Sequence, residues 1–240
     1  MSRGTIALAG LAIAVAGGIS LDRIWHTGGA IADALRLRDA GATFPAARLK
    51  ADIERLQTIR EPEADELGAL AFFHYATADI ARAGGNADAG QRELNEAASA
   101  ARRALALSPA RADLAVALAE IEFLRNGAGP EVYKALDLSY RTAPRELWIV
   151  QRRIGLGLRL IAVAPPGLAD NIVSDIHILG EPFAPPEQYQ MLAEAAFVAG
   201  PAAVATVERE LGLGHPWPFG FFEKRLSELR ANRAGQLGTK

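Results

Sequence analysis

The chain has 240 residues, 50% of them hydrophobic, and a formal charge of -2 at pH 7. That length can bury a real core, and the near balance of charge removes any bulk electrostatic drive towards nucleic acid. The absence of cysteine excludes disulfides, thiolate metal sites, thiol catalysis and a lipidated cysteine, while 22 of the 26 basic residues are arginine, a bias that by itself assigns no function.

After Ser2 and Arg3, the run from Gly4 to Leu21 carries no charge, and Asp22 and Arg23 end it. At roughly 1.5 Å per residue it reaches about 27 Å, just enough for a hydrocarbon core. A retained signal anchor would hold Ile6, Leu8, Leu11, Ile13, Val15, Ile19 and Leu21 in the bilayer with Trp25 at the interface. A signal peptide would instead be cut at the small-residue site Ala14, Val15, Ala16. The weak basic n-region and the apolar residues beyond that site favour the anchor. Arg23, Arg36 and Arg38 follow the segment and only Arg3 precedes it, so the positive-inside count argues against export. A short tail before a first hydrophobic segment nevertheless resembles a signal sequence. We therefore expect a single-pass protein of a bacterial-type inner membrane with its bulk in the periplasm.

Residues 1–26 form the expected anchor, and 27–45, with Ile31, Leu35 and the breaker DAGATFP, a juxtamembrane spacer. The expected helical domain covers 46–214. Its first helix carries Leu49, Ile53 and Leu56. Its second, from Glu63 to about Ala83, carries Leu67, Leu70, Ala71, His74, Ala78 and Ala81, widened by Phe72, Phe73 and Tyr75. His74 in that stripe reads as a core histidine bonded to a neighbour. AGGNADAG, from Ala83 to Gly90, reads as a linker.

Two helices are expected around the turn at Ser108 and Pro109. One carries Leu94, Ala97, Ala98, Ala101 and Leu105 and the other Leu114, Ala117, Leu118 and Ile121, and the two stripes can face each other as a hairpin. Further helices follow on Val132, Leu136 and Tyr140. The next has Leu147, Val150, Ile154, Leu158 and Ile161 opposite Arg145, Arg152 and Arg159. Two more carry Leu168, Ile172, Ile176 and Leu179, then Tyr189, Leu192, Ala196 and Phe197, before a short arm from Ala202 to Leu213. Residues 215–240 read as an aromatic cap, with Trp217, Phe219, Phe221 and Phe222 ahead of a short helix on Leu226 and Leu229. No stretch alternates as a strand would.

Ala97, Ala101, Ala104 and Pro109 resemble the second helix of a tetratricopeptide repeat, in which small residues and a terminal proline hold set places in a unit of roughly 34 residues. Val132, Leu136, Ser139 and Pro144 repeat the pattern. The first-helix signature is thinner: Leu118 and Ala119 match its leucine and glycine places, and Ala115 replaces its tryptophan. The resemblance covers about residues 63–163. It implies an all-α fold of antiparallel hairpins stacked as a short solenoid, and the apolar run at 4–21 places one transmembrane helix ahead of it. It also implies a groove that binds another protein, lined by Asp113, Val116, Glu120 and Phe123 and, in the next unit, by Trp148 and Gln151.

Catalytic chemistry is not visible. His26, His74, His177 and His215 are far apart in the chain, and no nucleophile-base, metal-ligand or phosphate-loop pattern occurs. In GLGLRL the glycines fit close helix packing better than phosphate binding. The expected function is non-enzymatic, without cofactor or metal: a membrane-held scaffold or assembly factor that binds another protein of an envelope complex and no nucleic acid. A structural subunit of a larger membrane complex, and an envelope enzyme using His74 or His177 as base, are the alternatives.

Overall fold

The computed structural model describes residues 27–38, 43–212 and 216–237, with residues 216–218 and 237 described by their backbone alone. The described residues form eleven α-helices and no strand, and they divide into two compact units that meet in sequence between Pro109 and Ala110. The proposed anchor, Gly4 to Leu21 with Trp25, lies outside the described residues. Among those described, no helix is long and apolar enough to cross a membrane.

The first unit contains α1 (residues 27–38), α2 (Ala46–Gln57), α3 (Ala64–Ala83) and α4 (Ala87–Leu107). α3 is its centre, packed along α4 on one side and α2 on the other. Its run Leu67 to His74 is buried throughout, so the widened stripe covers nearly the whole helix there. A reciprocal capping box starts it: the Glu63 amide donates to Glu66 Oε2 at 2.8 Å, and the Glu63 side chain takes an amide of the first turn. The α3–α4 seam is built from Ala97, Ala98, Ala101 and Ala104, all buried. His74 is a core histidine, its Nδ1 2.6 Å from Glu93 Oε2 on α4.

The linker expected at 83–90 is shorter than AGGNADAG suggested. α4 begins at Ala87 because Asn86 caps it, its side-chain oxygen accepting the Ala89 amide at 3.0 Å. Gly90 lies in the seam, where a Cβ would sit 3.3 Å from the Ala78 carbonyl. The spacer expected over 27–45 contains α1, whose buried face is Thr27, Ala30, Asp33 and Ala34. Leu35 of the expected stripe is exposed. Asp33 explains the choice of face: Arg36 donates to its Oδ1 and Arg48 of α2 to its Oδ2, so α1 turns its carboxylate towards α2.

The second unit holds α5 (Ala112–Asn126), α6 (Pro130–Thr142), α7 (Leu147–Leu160), α8 (Pro166–Leu179), α9 (Pro186–Ala199), α10 (Pro201–Gly212) and α11 (Pro216–Leu237). Each odd helix packs on the even one that follows. α5, α7, α9 and α11 also lie side by side in one row, and α6, α8 and α10 in another. This is a repeat-like stack of three hairpins closed by α11. The turn at Ser108 and Pro109 lies in sequence between the pair α3–α4 of the first unit and the pair α5–α6 of the second. The stack follows from the sequence at two points. Pro130, Pro166 and Pro201, 36 and 35 residues apart, each open a second-row helix in the first turn, where no amide bond is lost. Gly157 lets α8 press on α7, since a Cβ there would lie 3.2 Å from the Ile172 side chain.

The aromatic tail differs from expectation. It is helical from Pro216, and Phe222 and Leu226 are buried where α11 lies on α9. Pro216 and Pro218 do not break it because both fall in its first turn.

Candidate functional site

Two of the residues expected to line a partner groove are interior. Val116 is packed with Ala112, Ala143 and Ile149. Asp113 is buried and held by Arg111, whose Nε and terminal nitrogen each donate at 2.9 Å. Both lie in the first turns of α5 with their side chains buried.

The other four lie on α5 and α7, neighbours in the first row. Glu120 and Phe123 are half-buried on α5, Gln151 is half-buried on α7, and Trp148 is 44% exposed. Helical spacing places Trp148, Arg152, Gly155 and Arg159 along one face of α7. At Gly155, which falls between Arg152 and Arg159 on this face, a Cβ would meet nothing within 4 Å, so the surface is open there. Glu120 of the adjacent helix is within the field of both arginines. Burial pushes its carboxyl above the usual carboxylate range, and Arg152 and Arg159 oppose that rise. The outer basic face expected for α7 is thus turned partly onto a glutamate of α5.

A raised carboxyl pKa makes ionisation less favourable in the folded state than in the unfolded one. Relative to Glu120→Gln, the native protein is therefore expected to lose stability as pH rises above the ordinary carboxylate range, about pH 4, towards neutrality. Urea midpoints of both proteins at the two ends of that window check the sign.

The chemistry that sequence reasoning missed is a buried ion pair. Arg153 of α7 and Asp175 of α8 are 0% and 1% exposed. Arg153 Nε donates to Asp175 Oδ2 at 2.7 Å, and Nη2 to Oδ1 at 2.6 Å. The remaining guanidinium hydrogens go to the end of α6, with Nη1 donating to the carbonyls of Ser139 and Ala143 and Nη2 to that of Pro144. The Tyr140 hydroxyl donates to Asp175 Oδ2 at 2.9 Å, and its ring lies 3.8 Å below the guanidinium carbon. Burial raises the Asp175 carboxyl and the Tyr140 phenol, and Arg153 works against both rises. The signal was present: Arg153 falls between Val150 and Gly157 on the buried stripe, and Asp175 stands between Ile172 and Ile176 on its own. All five guanidinium hydrogens and the Tyr140 hydroxyl hydrogen are used internally, so the cluster locks three helices together.

The two histidines offered as bases each face one glutamate. His74 is buried between α3 and α4 against Glu93, and His177 of α8 is exposed with Nε2 3.2 Å from Glu210 Oε2. Among the described residues, no three His, Asp or Glu side chains converge as metal ligands. His26 and His215 lie outside the described residues. Comparison with protein families, with curated proteins and with solved structures finds no match to this chain.

Proposed function

We propose that the chain is a membrane-anchored helical-repeat scaffold or assembly factor of a cell envelope, a degenerate relative in form of tetratricopeptide-repeat adaptors, that binds another protein and performs no reaction. The observation that carries this reading is the α5–α7 surface, where a half-exposed tryptophan, an open glycine position and two arginines lie on one helix face beside Glu120 and Phe123. An aromatic anchor beside fixed polar groups is how a peptide-binding surface combines area with register. The anchor rests on the apolar run Gly4 to Leu21, and export on its resemblance to a signal sequence.

Trp148→Ala and Gly155→Leu test the surface from opposite directions. The first removes a half-exposed ring, and the second fills an open position on a helix that prefers leucine to glycine. Both are expected to leave the melting temperature within a few degrees of the native protein and to reduce recovery of a stoichiometric partner from crosslinked membranes, with an anchor-residue loss of about 2 kcal/mol. Unchanged recovery with both variants would remove this surface from the function.

A further inference from the structure

A second surface in the same unit has different chemistry. Between the end of α9, the start of α10 and the second half of α11 lies a groove of about 230 Å³, lined by Phe197, Val204, Ala205, Glu208, Arg230 and Arg233 together with the Gly200–Pro201 turn. Its floor is apolar, and Val198 beside it is 65% exposed. The turn is fixed by Gly200, whose φ of +108° suits glycine alone, so α10 starts abruptly at Pro201 and its first turn borders the groove.

The charge around that floor is unequal. Arg233 is set over the Phe197 ring, 5.8 Å from its centroid, and makes no ion pair among the described residues. Arg230 reaches Glu208 only at 3.9 Å, with both side chains largely exposed. The first amides of a helix have no acceptor within it, and its macrodipole adds positive potential at that end. Two guanidiniums and a helix start thus face one glutamate across an apolar floor. The arrangement is complementary to an apolar group with a negative charge next to it.

We propose that this groove binds a short stretch of a partner polypeptide in which an aliphatic or aromatic side chain stands beside a carboxylate. The apolar side chain would rest on Phe197 and Val204, and the carboxylate between Arg233 and the first turn of α10. This goes beyond the α5–α7 surface, uses none of its residues and is tested without the same partner.

The experiment uses the full chain with its methyl groups labelled, titrated with N-acetylphenylalanine and, separately, with N-acetylphenylalaninamide. The expected result is a saturable shift of the Val204 methyls with the carboxylate and affinity about three- to tenfold weaker with the amide, as loss of one charge-assisted contact at a partly exposed site implies. Arg233→Gln should weaken the acid and not the amide. Ala205→Trp, at an exposed lining position, should block both. Absence of a saturable shift at Val204, equal affinity for acid and amide, or undiminished binding by both variants would overturn the proposal. So would a change at Val204 on deleting residues 238–240 without any probe, which would assign the groove to the chain's own tail. A Val204 shift that grows with protein concentration alone would assign it to a second copy and overturn the proposal too.

Discussion

Arg153→Met is expected to destabilise the unit of residues 110–240 by about 3–5 kcal/mol, the cost of removing one partner from a buried ion pair. Three losses combine. Asp175 is left at the α6–α7–α8 junction with only the Tyr140 hydroxyl, so its carboxyl must ionise unpaired or take up a proton. The carbonyls of Ala143 and Pro144 lose the guanidinium donors at the end of α6, and that of Ser139, still bonded to the Ala143 amide, loses a second one. The Tyr140 ring loses the cation stacked on it. Arg153→Met combined with Asp175→Leu should recover the part due to the stranded carboxylate and leave the part due to the carbonyls, so the double variant lies between the native protein and the single one. Hydrogen exchange of α7 and α8 amides together with the urea midpoint measures both. A single variant within about 0.5 kcal/mol of the native protein would mean that water satisfies these groups and that the pair does not hold the stack.

In the first unit the largest expected effect is that of Phe73→Ala. Phe73 is fully buried on α3, the helix packed between α2 and α4, so truncation leaves a cavity bounded by two helices. The usual cost of such a change is about 3–5 kcal/mol. The same substitution at Phe183, which is 98% exposed in the connection between α8 and α9, should stay within about 0.5 kcal/mol. Thermal or urea unfolding of the two variants checks the contrast. Near-equal values would show that α3 is not the centre of its unit.

The comparison of those phenylalanines also shows how far the sequence carries. Phe73 is legible as core because it belongs to a dense apolar helix, and the stripes Leu94 to Leu105, Leu114 to Ile121 and Leu168 to Leu179 are interior for the same reason. Periodicity is a local property of the chain, and it transmits directly into which face of a helix is dry. Leu147 fails the same rule. It sits at the right spacing but in the first turn of α7, where it is exposed at the end of the helix.

Of the six residues expected at a partner surface, the four on α5 and α7 named above keep some exposure, while Asp113 and Val116 are buried, because repeat register gives a position on a helix and not what packs over that position. Arg153 and Asp175 show the converse. Each is a charge on a stripe otherwise apolar, a conflict visible in the sequence, but the partners lie 22 residues apart and only the antiparallel pairing of α7 with α8 brings them together.

The amino-acid sequence by itself determined the helical class, most buried stripes and the core role of His74. These depend on spacings within a few residues and on the backbone chemistry of proline and glycine. Tertiary structure alone decided that α4 belongs with α3, that α5, α7, α9 and α11 form one row, that Arg153 is interior while Arg159 is not, and that a charged groove opens over the start of α10. Those outcomes depend on which helices meet, and many long-range contacts together select that pairing, with no single stretch of chain encoding it.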